Sequence, residues 1–154
     1  VSVAVRPLPL DDDRVAARIL VIQQAAYRVE AAFIGYASIP PLYDTLEMLR
    51  DSGEAFYGAY AGEVLAGFIA CELSPQTVSI TRLGVHPDYF RRGSGRALLL
   101  YVETQVALER PRLAVSTGAK NAPARHLYEQ HGFACFNECE VEPGLTMVFY
   151  EKWR

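Results

Sequence analysis

Two stretches of the chain combine residue types and spacings suited to chemistry. In Arg91-Arg92-Gly93-Ser94-Gly95-Arg96-Ala97 two glycines open an apolar helical pattern. Glycine lets the backbone turn tightly and approach a ligand, while the first N–H groups of the following helix and its positive dipole end face an anion. With three arginines beside it, this turn suits a phosphorylated ligand. The second stretch, Asn121-Ala122-Pro123-Ala124-Arg125-His126-Leu127-Tyr128, precedes Gly132-Phe133. Asn121 and Tyr128 are nearly two helical turns apart, so they share one helix face with Ala124 between them, and the phenol can serve as a proton donor there. Taken alone, the glycines also fit an ordinary tight loop, Asn121 an N-cap and Tyr128 a core aromatic. The turn lacks the Gly-Lys-Ser/Thr ending of a Walker loop and the third glycine of a dinucleotide fingerprint.

The elements around these stretches set their geometry. Thr77 to Pro87 reads as a strand stopped by the proline, giving the order strand, loop, glycine turn, helix. That helix runs to about Arg110, with Leu98, Leu99, Val102 and Val106 toward a core and Pro111 as its stop. Leu113 to Ser116 is a short strand, Asn121 to His131 a helix, and Phe133 to Val141 with Leu145 to Tyr150 a hairpin around Pro143-Gly144. Upstream, Val1 to Val5 is a first strand, and Asp11 to Asp13 cap a helix reaching about Ile34. Its apolar residues Val15, Ile19, Ile22, Ala26, Val29 and Phe33 define one buried face, and Gln23, Tyr27, Glu30 and Ile34 form the neighbouring stripe. After Ile39-Pro40-Pro41, Leu42 to Leu49 reads as a short helix, with Leu42, Leu46 and Leu49 on one side. Ala55 to Tyr60 and Glu63 to Cys71 form a hairpin around Ala61-Gly62.

Taken together, the strand before the glycine turn, the turn itself and the run from Asn121 to Phe133 resemble the GNAT superfamily of acyl-CoA-dependent N-acetyltransferases. The family's motif, Gln or Arg, two residues, Gly, one residue, Gly or Ala, falls on Phe90 to Gly95, with Phe90 departing from it. The resemblance implies an α+β fold: a twisted mixed sheet of about seven strands and about four helices in one domain over residues 1–154, with strands four and five splayed. It further implies acetyl-CoA as cosubstrate, its pantetheine arm bonded to the backbone of Leu83 and Val85. Its phosphates would lie on N–H groups of Arg91, Arg92, Gly93, Ser94, Gly95 and Arg96. By the same resemblance Asn121, with Ala124 on the same face, contacts the pantetheine arm, and Tyr128 protonates the departing thiolate. The implied reaction is direct acetyl transfer to an amine, on a small molecule or a protein, without a metal.

An amine must lose a proton before it attacks a thioester. Many members of the family place a glutamate where this chain has Thr81, which cannot act as a base at ordinary pH. Glu30 and Glu72, acting directly or through water, are then the candidate bases, ahead of His86 beside its proline; His126 and His131 read as surface positions. The acceptor is expected beside the first two helices, near Gln23, Tyr27, Glu30 and Tyr43. The missing glutamate also favours the alternative of a noncatalytic acyl-CoA-binding domain.

Composition narrows the field. With 154 residues, 51% of them hydrophobic, the chain can build a substantial core. A net charge of −3 argues against nonspecific nucleic-acid binding. No apolar run approaches the roughly 20 residues that span a membrane, and no signal-peptide layout opens the chain, so a cytoplasmic protein is expected, with no membrane partner and a homodimer compatible with it. Cys71, Cys135 and Cys139 are odd in number and lack paired metal spacing, and are expected to be buried or half-buried thiols.

Overall fold

The computed structural model describes residues 3–34 and 44–154, apart from the side chains of residues 33 and 34. The expected contribution of Tyr43, and the start of the helix expected from Leu42, lie outside the described residues. The elements follow in the order β1 (Val3–Pro7), α1 (Asp13–Ile34), α2 (Leu46–Asp51), β2 (Ala55–Ala61), β3 (Val64–Leu73), β4 (Thr77–Val85), α3 (Ser94–Tyr101), β5 (Arg112–Gly118), α4 (Ala122–Gln130), β6 (Ala134–Glu142) and β7 (Leu145–Trp153). The strands make one seven-stranded sheet in the order β1-β2-β3-β4-β5-β7-β6. All neighbours are antiparallel except β4 and β5, which are joined through α3 in the strand-helix-strand crossover expected from sequence.

The parallel pairing of β4 with β5 stops after three positions, Thr77 with Arg112, Val78 with Leu113 and Ser79 with Ala114. Just beyond it the β3–β4 register shifts: Cys71 opposes Ile80 and Ala70 opposes Arg82, leaving Thr81 as an extra residue. A bulge of this kind bends a strand and sharpens its twist, which turns the rest of β4 away from β5. The sheet is thereby forked, and the glycine turn lies beyond the open end of β4.

Each sheet face has its own packing. On one, Leu98, Leu99 and Val102 of the α3 region meet Ile69, Val78, Leu113, Tyr128, Val148 and Tyr150. On the other, Ile19 and Ile22 of α1 and Leu49 of α2 meet Phe56, Leu65 and Phe68. Burying one such side chain contributes about 1.5–3 kcal/mol, so the two layers fix the helices firmly on the sheet. The helix entering from the glycine turn changes winding after Tyr101: Val102–Val106 is a π turn, with Ala107 N–H donating to the Val102 carbonyl. The wider turn keeps Val102 and Val106 both buried, and the helix ends short of Arg110, at Leu108, whose φ is 47°. On α1 the buried face is turned from the expected one, since Ala16, Ile19, Ile22, Gln23 and Tyr27 are buried among its described side chains. Cys71 is buried as expected, but Cys135 and Cys139 are exposed, because β6 is an edge strand with all nine residues open to solvent. His131 is half-buried at the end of α4, its Nδ1 2.9 Å from the Leu127 carbonyl, so it is not the plain surface position expected.

Candidate functional site

At the open end of β4 the chain passes through Pro87–Tyr89 into a turn where two residues take left-handed backbone, Arg91 at φ 62° and Gly93 at φ 84°. Gly93 caps α3 without a side chain, and a glycine is the residue that adopts this conformation at least cost. A Cβ at Gly95 would lie 3.3 Å from Leu127 Cδ2, so this glycine serves the close packing of α3 on α4 as well as the turn. Ala97 N–H bonds the Gly93 carbonyl, and among the described residues no backbone acceptor is engaged by the N–H groups of Gly93 to Arg96. These donors and the helix dipole converge on one place, with Arg91, Arg92 and Arg96 exposed around it. Ser94 is buried beneath the turn, Phe90 is exposed on it, and Arg92 stands 5.4 Å from the Tyr89 ring.

From the turn, β4 runs back toward the fork. Leu83 and Val85 pair with Ile69 and Gly67 of β3 on one side and have no partner on β5. The Leu83 backbone hydrogen-bonds the Tyr27 phenol of α1, and Val85 follows two residues on along the same unpaired edge. Gly84 lets α1 approach: a Cβ there would stand 3.0 Å from Phe68 and 3.6 Å from Ala26.

On the opposite wall, Asn121 caps α4, its side-chain oxygen accepting from Ala124 N–H at 3.2 Å. Its amide also donates to Thr117 Oγ1 at 3.3 Å, and Thr117 reaches Glu30 Oε1 of α1 at 3.5 Å. Tyr128 is buried with its ring against Phe133 and Tyr150, at centroid separations of 5.9 and 5.8 Å. The Tyr150 hydroxyl, held between Arg125 Nε at 2.9 Å and Glu129 at 2.8 Å, ties α4 to β7 and so fixes the Tyr128 position. Of the two carboxylates singled out from sequence, Glu30 joins this cluster. Glu72 does not: it is exposed and opposes Ser79, on the part of the sheet where β4 and β5 are still paired. His86 caps the Pro87 turn, its Nδ1 accepting from Asp88 N–H at 3.1 Å.

Burial controls the protonation of this cluster. It raises the Glu30 carboxyl above its ordinary value, with hydrogen bonds from Asn121 and Thr117 pulling back. The Tyr128 phenol is pushed well above the usual tyrosine range, first by burial and then by the Glu30 charge; Tyr27 is raised for the same reasons. Both phenols thus keep their protons at neutral pH beside a carboxylate suited to accepting one.

A second polar cluster, missed by sequence reasoning, lies on the α1 side of the bulge. Arg82 holds Glu54 through Nε and Nη2 at 3.0–3.2 Å, donates from Nη1 to Gln23 at 2.9 Å, and pairs with Asp44. Gln23 Nε2 donates to Asp44 at 2.9 Å, and the Thr81 hydroxyl bonds Glu54. Two carboxylates against one guanidinium leave this half-buried cluster with a formal charge of −1 among the described residues. The partners are far apart in sequence, so only the alternation that turns Arg82 inward toward α1 could have hinted at them. Among the described residues no group of His, Cys, Asp and Glu is arranged to hold a metal ion, and no helix is long and apolar enough to cross a membrane.

Comparison with known proteins agrees with this geometry. The family model described as acetyltransferase (GNAT) family matches residues 18–133. UPF0157 protein YqkA of Bacillus subtilis is 36% identical over 136 residues, 88% of this chain and 39% of that protein. Uncharacterized N-acetyltransferase YvbK of the same organism is 30% identical over 95 residues, 60% of this chain and 61% of its own length. The chain thus spans less than two thirds of either relative. Among solved structures, PaiA N-acetyltransferase from Thermoplasma acidophilum in complex with coenzyme A superposes with a TM-score of 0.78 at 19% identity, covering all of both chains. The ribosomal-protein-S18-alanine N-acetyltransferase from Escherichia coli gives 0.77 at 19%, covering 97% of this chain and 92% of the other. The forked sheet, the glycine turn at its mouth and the match over residues 18–133 place this chain in the acetyltransferase (GNAT) family.

Proposed function

We propose that the chain transfers an acetyl group from acetyl-CoA directly to an amine within a ternary complex. The observation that carries this reading is the alignment of three features along one opening: N–H groups at Gly93 to Arg96 that engage no backbone acceptor among the described residues, the β4 edge at Leu83 and Val85 left without a β5 partner, and Tyr128 on the far wall. The pyrophosphate rests on the turn from Arg91 to Arg96, and the pantetheine arm runs down β4 past Val85 and Leu83, bonding as an added strand would. Asn121 and Ala124 border the arm on the α4 side. This direction carries the thioester toward the closed end of the fork, where the β4 backbone polarises its carbonyl.

Glu30 is the base. It accepts the ammonium proton directly or through water, the neutral amine attacks the carbonyl carbon, and the tetrahedral intermediate collapses with cleavage of the C–S bond as its nitrogen gives up a second proton. Tyr128 donates to that sulfur. A thiol has a pKa of about 8.5 and the phenol lies above about 10, so full transfer in one step is uphill by at least about 2 kcal/mol. Tyr128 therefore acts first as a hydrogen-bond donor to developing charge, and as the thiol leaves its sulfur takes a proton through the phenol, which the second nitrogen proton replaces. Holding both substrates in line supplies much of the remaining acceleration.

A covalent acyl-enzyme route has little support. Cys71 is buried, with its thiol pushed up to about 12, and Cys135 and Cys139 stand on the exposed edge strand. Initial-rate kinetics with both substrates varied test the order of events: intersecting double-reciprocal lines are expected, and parallel lines would reject direct transfer. The noncatalytic alternative predicts acetyl-CoA binding with no amine-dependent release of thiol. The Glu30 cluster speaks against it, since a carboxylate stands beside the fork even though Thr81 occupies the usual position of the base.

A further inference from the structure

Where β4 and β5 part, the sheet carries a groove of about 150 Å³ lined by Ser79, Ala114, Ser116, Phe136 and Phe149, together with Ile80, Val115 and Tyr150 of the α3-side core. Its lining is chiefly apolar, and it is floored where the strands separate, immediately past the last β4–β5 pair at Ser79 and Ala114. α1 packs on β3 and on β4 beyond the bulge, and none of its residues lines this groove. Phe136 is 50% exposed here, with its ring 6.5 Å from that of Phe149 and 5.5 Å from the Arg112 guanidinium. An aromatic so exposed leaves apolar area in water that a ligand can cover.

Resting on the reading of the chain as an acetyltransferase, we infer that its acceptor is a primary amine carrying an aromatic or bulky aliphatic group a few bonds from the nitrogen, and that this group seats in the groove. Three observations select that occupant. A cavity of this volume matches a single benzene ring. The groove lies at the closed end of the fork, the end toward which the thioester extends, so a group seated there keeps a nearby amine within reach of the carbonyl. Glu30 stands at the fork against Thr117 with no cationic partner among the described residues, which complements a cationic amine, whereas Glu54 is already paired with Arg82. A polycation such as a polyamine would leave the groove unfilled and would set charged nitrogen against its apolar wall at a desolvation cost.

The test compares 2-phenylethylamine with ethylamine, titrated into the CoA-loaded protein and assayed in acetyl-CoA turnover. The aryl amine is expected to bind about tenfold tighter, the discrimination given by removing roughly half of a phenyl ring's surface from water. Ser116→Phe, which fills the groove from an exposed strand position, should abolish that preference, and Phe136→Ala should weaken it several-fold. Acetyl-CoA affinity, measured on the same samples, reports whether each variant is folded and decides the cofactor reading separately. Equal affinity for the two amines, undetectable binding of the aryl amine, or a preference that survives Ser116→Phe would overturn the inference.

Discussion

Glu30→Gln separates catalysis from stability, because the two should move in opposite directions. The substitution keeps the side-chain shape and one oxygen for the Thr117 hydroxyl, but removes the charge and the ability to take a proton. Loss of a general base costs typically 10²–10⁴-fold, so kcat/KM should fall by that factor, about 3–5 kcal/mol of transition-state stabilisation. Stability should rise. The folded Glu30 carboxyl is held above its unfolded value by burial, so the native state binds the extra proton. Its contribution is fully present below the unfolded pKa, about 4.3, and is lost as pH rises through the raised folded value. At pH 7 the ionised carboxylate is therefore a net cost, which glutamine relieves. Denaturant unfolding at pH 4 and pH 7 should show the variant gaining on wild type at the higher pH. The acid limb of the kcat/KM profile, set in wild type by Glu30, should vanish in the variant. Wild-type turnover combined with an unchanged pH profile would remove Glu30 from the mechanism, and a lower stability at pH 7 would contradict the burial argument.

Tyr128→Phe keeps the packing against Phe133 and Tyr150 and should lower turnover by roughly 10²-fold while acetyl-CoA affinity is retained; an unchanged rate with chemistry limiting would make Tyr128 a packing residue. Gly93→Val forces a β-branched residue into φ 84° and should abolish acetyl-CoA binding, measured by calorimetry, at a fold cost of at least about 1–2 kcal/mol. Arg82→Met strands Glu54 and Asp44, whose side chains are 7% and 17% exposed, and should destabilise by about 3–5 kcal/mol in urea unfolding. Loss of less than 1 kcal/mol there would mean the cluster is well solvated.

The parts of the site that sequence made legible are those whose partners are close in the chain. A glycine turn at a strand end, its following helix, and two side chains seven residues apart on α4 are local patterns, and each stands where its spacing puts it. The Arg82 cluster is not local: Glu54 lies 28 residues before Arg82 and Asp44 38 before it, and only the tertiary stacking of α1, β2 and β4 assembles them. Burial on α1 was misjudged by part of a turn because apolar spacing marks the strip facing β2 and β3, while Gln23 and Tyr27 are buried by polar contacts with Arg82, Asp44 and Leu83. The cysteines of β6 show the limit of alternation as a guide. It says which side chains share a face, but not whether anything covers that face, and on this edge strand nothing among the described residues does.

Acetyl transfer itself is tested most directly by incubating the protein with acetyl-CoA and a panel of amines, following free thiol and identifying the product by mass. Thiol release should depend on the amine, match the N-acetylated product one for one, and fall roughly 10²-fold in Tyr128→Phe. Tight acetyl-CoA binding with no amine-dependent thiol release across small, aromatic, amino-acid and peptide amines would contradict the account.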